Sequence, residues 1–382
     1  MYVSLSRPIL KALAHTVTEK GQSDVEYTFH LFVRPKDEKA ETWDGARSGV
    51  QAAQDVFNAD EARDIDSLST VLPELIQSAK EVYTDIGTFG KKTAVTRFIQ
   101  GSGTGVEGLQ QTLKDTTVRQ LRPLMNELRV LKSEAELNCM RRAGTISGAV
   151  VTEAMRSSYT TEKQLWADLA YGFRSQGLDG EAYVPVIAGG QNGLSIHYVR
   201  NDAAIDPNDT ILVDAGGEYG GYITDITRCW PNNGRFTDAQ KDMYQMLLNA
   251  QKTCVALCRE SADTTLDKLH KITENLLRDG LKDLGFNLSG DAMDILFPHH
   301  VGHFIGLDVH DAPGYPRIGR LEQGNCITIE PGVYVPDDAR WPERFRGLAL
   351  RIEDSVIIGS DKPEVLTETA AKEIGEIEGL RR

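Results

Sequence analysis

Four apolar stretches in the second half of this chain each carry a carboxylate where a folded core would exclude one. Asp214 ends the run Ile211-Leu-Val, and Asp225 sits inside Tyr222-Ile-Thr-Asp-Ile-Thr. Glu330 lies in Ile327-Thr-Ile-Glu-Pro-Gly, and Glu353 in Leu350-Arg-Ile-Glu-Asp-Ser. Burying an unpaired carboxylate is costly, or it drives the group to take up a proton. A fold that buries these strands must therefore bring counter-charge to them. Arg351, two residues from Glu353 and on the same face of a strand, supplies one cation. Two divalent metal ions would balance all four carboxylates. A further ligand is expected to be histidine, and the candidates in this half are His197, His299, His300, His303 and His310. The spacing His299-His-Val-Gly-His303-Phe-Ile-Gly-Leu-Asp-Val-His310 sets imidazoles beside glycines, which suits a loop packed closely against a site.

Composition removes other classes of function. The 382 residues carry 42 Lys+Arg and 56 Asp+Glu, so 42 − 56 gives a net charge of −14, and no basic block offsets it. Nucleic-acid affinity rests on Lys and Arg displacing counterions, so nucleic acid is not an expected partner. No apolar run approaches the ~18 to 20 residues of a membrane helix. Five cysteines without CxxC spacing read as free thiols of a reducing compartment. Residues 1–18, with Arg7, Lys11 and no acid, have a weak transit-peptide character.

Periodicity divides the chain near residue 125, into 1–125 and 126–382. The first part alternates short elements: a strand at Tyr27–Arg34 and an acidic helical stretch at Asp60–Leu75. The glycines of Gly101–Gly105 form a turn and not a phosphate loop, because no clear strand precedes them and no Lys-Ser/Thr pair follows. Downstream, Ser133 with Glu136 makes a capping box, followed by Leu137, Met140, Ala143, Ile146 and Val150 at helical spacing. Further helices are expected near 162–176, 238–260 and 264–284. Strands are expected at 211–215, 222–230, 326–335 and 348–358, an α+β pattern. Gly216-Gly-Glu-Tyr-Gly-Gly221 marks a hairpin that would bring Asp214 opposite Asp225.

The ordered set Asp214, Asp225, His303, Glu330 and Glu353 resembles the dinuclear metal site of the pita-bread metallopeptidases, which include methionine aminopeptidase, aminopeptidase P and prolidase. The strings Val-Asp-Ala-Gly-Gly, Thr-Asp-Ile-Thr-Arg, Gly-His-Phe-Ile-Gly-Leu-Asp-Val-His-Asp, Ile-Glu-Pro-Gly-Val-Tyr and Arg-Ile-Glu-Asp match around them. Leu-Asp-Val-His-Asp and Ile-His197-Tyr resemble the aminopeptidase P and prolidase branch. The resemblance covers about residues 125–382. It implies a pita-bread catalytic domain of α+β class behind a smaller, shortened α/β N-terminal domain. Of the latter, only Leu31–Gly49 is recognisable, and residues 1–26 are not.

By the same resemblance, Asp225 and Asp214 hold one ion, His303, Glu330 and Asp214 the other, and Glu353 bridges. Mn²⁺ is favoured, with Co²⁺, Fe²⁺ or Zn²⁺ also suited to such ligands. A hydroxide held between the metals would attack the scissile carbonyl, with Glu330 shuttling the proton. His299 and His310 would stand near the substrate carbonyl and leaving group, and His197 would line the pocket. Arg351 would orient Glu353 or help form a proline pocket. Asp308 and Asp311 are candidates to fix the His310 tautomer, while His300 and Tyr334 read as structural. The expected activity is release of the first residue from Xaa-Pro peptides. The alternatives are a prolidase-like dipeptidase, a metal-free amidinohydrolase and a non-catalytic peptide-binding relative. A homodimer, in mitochondria or cytoplasm, completes the expectation.

Overall fold

The computed structural model describes residues 28–85, 113 and 116–381. The Gly101–Gly105 turn and the basic stretch 1–18 lie outside the described residues. The chain divides into two compact units, Met1–Leu128 and Arg129–Arg382.

In the first unit, β1 (His30–Val33) runs parallel to β2 (Glu61–Asp64), with α1 (Glu38–Asp44) and α2 (Gly49–Asp55) crossing between them. α3 (Leu68–Ser78) follows, and β3 (Glu81–Tyr83) pairs in parallel with β4 (Thr117–Arg119). This is α/β architecture. The expected helix at 60–75 is corrected: its acidic first half is strand β2, and the helix begins only at Leu68. Pairing overrides local preference there, with Phe29 N–H donating to Asp60 Oδ2 at 2.7 Å and Glu61 N–H to Phe29 O at 3.1 Å.

The second unit opens after α4 (Arg122–Val130) with α5 (Glu134–Ala154), whose Ser133–Glu136 capping box forms as its residues require. α6 (Glu162–Ser175) packs on α5 through Leu165, Leu169 and Phe173. β5 (Gly180–Glu181) and β6 (Val186–Gly189) lead to β7 (Thr210–Asp214), β8 (Gly217–Tyr219), β9 (Tyr222–Ile223) and β10 (Thr227–Pro231). α7 (Asp238–Ala256) and α8 (Leu266–Asp283) then form a helical pair, followed by the short α9 (Ala292–Leu296). The chain closes with β11 (Cys326–Ile329), β12 (Gly332–Tyr334), β13 (Ala349–Arg351), β14 (Asp354–Ile357), β15 (Glu364–Val365) and α10 (Ile374–Gly379).

The antiparallel order β6-β7-β10 sets Thr227 opposite Asp214, and β11 pairs with β14 from Cys326↔Ile357 to Ile329↔Asp354. β12 pairs with β13, placing Gly332 opposite Arg351. One apolar core, including Trp230, Tyr244, Leu247 and Ile327, joins these sheets to α5, α6, α7 and α8.

The glycine hairpin expected between the first two strands takes the form of a small β8–β9 turn at Gly220–Gly221, with φ of 60° and 87°. β7 and β10 pair on either side of it. A second correction is more consequential. Asp225, Glu330 and Glu353 do not lie within strands: each sits at a break, between β9 and β10, β11 and β12, and β13 and β14. Gly216 makes one such break compact, since a Cβ there would lie 1.7 Å from Thr224 O. Gly216→Ala is therefore expected to destabilise the protein by about 2 to 3 kcal/mol, the upper part of the overpacking range. The shift in urea midpoint measures this; a change below about 0.5 kcal/mol, typical of neutral surface substitutions, would contradict it.

Candidate metal centre

The strand breaks converge. Asp225, His303 and Glu353 each offer a ligand atom, and these atoms lie within 4.8 Å of one another. His303 Nε2 is 3.5 Å from both Asp225 Oδ2 and Glu330 Oε1. Asp214 reaches the same centre through Tyr183, whose hydroxyl contacts Asp214 Oδ1 at 2.6 Å and also Asp225 Oδ1. Its other oxygen accepts from Arg351 Nη2 at 2.6 Å. The contacts of His303 thus run to Asp225 and Glu330, with Asp225 between His303 and Asp214.

The approach of His303 depends on a bare backbone. Residues 301–304 run alongside β11, with Glu330 N–H donating to Val301 O and Thr328 N–H to His303 O. A Cβ at Gly302 would lie 1.9 Å from Thr328 O, so glycine before the histidine is a steric requirement. His303 Nδ1 faces Phe304 O at 3.0 Å. A carbonyl only accepts, so Nδ1 carries the proton and Nε2 is turned to the carboxylates.

Charge at the centre is unbalanced. Burial and the neighbouring Asp225 push Asp214 up to about 7, although Arg351 opposes this. Burial followed by the charges of Asp225, Glu330 and Asp214 drives Glu353 well above the usual carboxylate range, and burial also raises Glu330. For Asp225 burial acts upward, but the hydrogen bond and charge of His303 prevail and lower it. Burial disfavours the His303 imidazolium, yet Asp225 and Glu330 raise it to about 9. Carboxylates held this close favour protons or cations over bare charge.

Glu353 shows where a cation belongs. Its Oε2 accepts from Thr227 Oγ1 at 2.6 Å, and Thr227 in turn accepts from Arg351 Nε at 2.9 Å. Its Oε1 is buried without a hydrogen-bond partner. A hard cation satisfies such an oxygen, and carboxylates with one imidazole suit divalent ions. Arg351 therefore touches Asp214 directly and Glu353 only through Thr227.

The remaining histidines take different positions. His299 Nδ1 donates to His300 O at 2.8 Å, which leaves Nε2 to accept from the Tyr334 hydroxyl at 3.0 Å; Arg351 Nη1 donates to that hydroxyl at 2.7 Å. Burial and the Arg351 charge hold His299 down to about 4, so it is neutral. Both of its ring nitrogens are engaged, and a bond from it to substrate needs one released. His310 stacks edge-on against His303, with ring centroids 4.4 Å apart, and burial and the His303 charge lower it. His197 is exposed on its loop, close enough that its charge disfavours protonation of His299 and His310. His300 stands outside the cluster, edge-on to His270. Asp308 and Asp311 do not serve His310: Arg129 donates to both, and Lys132 Nζ donates to Asp311 at 3.2 Å.

Sequence reasoning missed Tyr183, Thr227 and Thr328, and read Tyr334 as packing. Thr227 and Thr328 each lie two residues from a carboxylate, a spacing that shares a face in regular strand. Thr328 Oγ1 indeed donates to Glu330 Oε1 at 3.3 Å. Nothing local marks Tyr183, 31 residues before Asp214.

A buried carboxylate cluster with one imidazole, short of positive charge, defines the centre of a metal-dependent hydrolase. The sequence profile of Metallopeptidase family M24 matches residues 138–360, and that of the aminopeptidase P N-terminal domain matches 11–83. Intermediate cleaving peptidase 55 of Saccharomyces cerevisiae is 41% identical over 95% of this chain and 72% of its own length. Xaa-Pro aminopeptidase 3 of Rattus norvegicus is 37% identical over 92% of this chain and 69% of its own length. A crystal structure of the Saccharomyces cerevisiae Icp55 bound to apstatin inhibitor superposes with a TM-score of 0.81, at 34% identity and 98% coverage of both chains. The chain belongs to metallopeptidase family M24, in the aminopeptidase P branch of the pita-bread fold. The N-terminal match starts at residue 11, so the expectation that residues 1–26 carry nothing of that domain is corrected from residue 11 onward.

Metal binding must displace the protons that these groups hold, so the sign of its pH dependence is set. Asp214 and His303 both bind protons more tightly in the metal-free fold than when unfolded, and both lose that stabilisation as pH rises, Asp214 through about 7 and His303 through about 9. The increase in thermal midpoint on adding Mn²⁺ is expected to grow from about pH 5 to about pH 8. An increase that stays flat or shrinks over this range would contradict the charge account.

Proposed function

We propose that this chain is an aminopeptidase that uses two divalent ions, Mn²⁺ in the first instance, to release the first residue from peptides with proline second. The observation that carries the reading is the buried, unpartnered Glu353 Oε1 within a cluster of four carboxylates and one histidine. The similarity to Xaa-Pro aminopeptidase 3 and to an apstatin-bound structure supports the substrate class. The basic, acid-free residues 1–18 favour a mitochondrial setting.

Asp214, Asp225, His303, Glu330 and Glu353 would hold the ions. Ions held there supply Lewis-acid activation of a water and of the scissile carbonyl. The chain's own groups do the rest. Arg351 fixes the Asp214 carboxylate and, through Thr227, that of Glu353. Glu330 is half-buried with a raised proton affinity, steadied by Thr328 on one oxygen, and is suited to carry a proton from water to the leaving nitrogen. Neutral His299 and Tyr334 form a chain ending on Arg351, which fixes one wall next to Glu330. His310, edge-on to His303, and His197, whose charge bears on His299 and His310, would stand on the substrate side of the same centre. A bond to proline has no N–H, so recognition rests on such side chains and not on a backbone donor.

Purified chain is expected to release the first residue of an Xaa-Pro-Xaa tripeptide only with Mn²⁺ or a similar ion. Glu330→Gln should lower kcat by about 10²- to 10⁴-fold at saturating Mn²⁺, the usual reach of a general acid-base group. Turnover of an Xaa-Pro dipeptide alone would indicate a dipeptidase. No turnover of either with Mn²⁺, Co²⁺ or Zn²⁺ would overturn the proposal.

A further inference from the structure

Away from the metal centre, a further carboxylate among the described residues is buried with no cation on it. Glu162 opens α6, is fully buried, and commits both oxygens to neutral donors. Oε1 accepts from Gly189 N–H at 3.0 Å and Asn192 Nδ2 at 2.9 Å. Oε2 accepts from the Tyr198 hydroxyl at 2.9 Å and Ala203 N–H at 2.9 Å. The first turn of a helix favours a negative charge, and four donors complete its solvation. Both of its oxygens are thus satisfied by hydrogen bonds, unlike Glu353 Oε1 of the centre.

All four donors belong to one excursion of the chain, from the end of β6 to residue 203, and His197 lies within it beside Tyr198. The other side of its base is held by Asn201, fully buried at a φ of 52°, which accepts from Ile187 N–H at 2.9 Å and donates to Pro185 O at 2.7 Å. Between these two staples the tip residues His197, Val199 and Arg200 are exposed. The loop also bears on the metal-centre side of the fold, because Gly193 packs against Ala349 of β13, two residues before Arg351.

We propose that Glu162 is a positioning residue that fixes the 189–203 loop and so places His197 toward the substrate. An amide would not replace it. The substitution Glu162→Gln would turn an NH₂ toward one pair of donors, and the backbone N–H groups of Ala203 and Gly189 cannot accept a hydrogen bond in return. The inference rests on the proposed peptidase reading, because His197 serves no purpose there unless substrate lies in front of it.

The test uses the Mn²⁺-loaded full chain, with Tyr198→Phe as the mild variant and Glu162→Gln as the strong one. Hydrogen exchange over residues 190–203 should quicken in both while Mn²⁺ affinity is unchanged. Tyr198→Phe should lower kcat/KM for an Xaa-Pro-Xaa peptide by about tenfold, the scale of a modest misplacement. In a His197→Ala background, Tyr198→Phe should cost nothing further, since the two act as one unit. Unchanged exchange in both variants, or a full independent loss in the double variant, would overturn the proposal. Absence of turnover in the unmodified chain would instead fail the peptidase reading, and exchange alone would then decide whether Glu162 holds the loop.

Discussion

The catalytic unit is organised around a charge deficit. Asp214, Asp225, Glu330 and Glu353 are drawn together with one guanidinium and one imidazole, with Asp225, Glu353 and Arg351 buried and the others partly so. Repulsion among like charges in such a setting is large, and proteins relieve it by protonation or by cations. The raised proton affinities of Asp214, Glu330 and Glu353 are the first form of relief. The bare Glu353 Oε1 marks where the second would act.

The backbone accommodates this cluster by interruption. A continuous strand would direct successive side chains to opposite faces and spread the carboxylates apart. Ending β9, β11 and β13 one or two residues before Asp225, Glu330 and Glu353 lets each turn inward at a break. The close contact at Gly216 makes the first of those breaks compact, and that at Gly302 lets the His303 segment lie against β11. Behind the cluster, Arg228 and Asp354 form a fully buried pair, and Arg228 also donates to the carbonyls of Thr227 and Glu353. A buried pair of this kind is weak evidence for net stability. Its contribution here is to fix the two backbone segments that carry Thr227 and Glu353.

Much of this was legible in the sequence, for a physical reason. Carboxylates within apolar runs violate a strong rule, and a violation repeated four times beside clustered histidines has few explanations. The same reasoning failed where the cause was tertiary. Residues 61–64 look helical but pair as strand with β1. Tyr183 joins Asp214 and Asp225 across 31 and 42 residues, with no local mark. Asp311 lies next to His310 in sequence, yet it is drawn to Arg129 and Lys132, since a buried acid seeks a permanent cation before an imidazole. Glu162, at the head of an ordinary amphipathic helix, gave no hint of its four donors.

The most direct test of the central claim is the number of metal ions the cluster takes up. Calorimetric titration of the metal-free protein with Mn²⁺, near neutral pH, should give two equivalents per chain, with protons released on binding. Glu353→Gln should reduce that number or weaken both steps. Fewer than two equivalents in the unmodified protein, or a titration indifferent to Glu353, would contradict the account of the charge deficit.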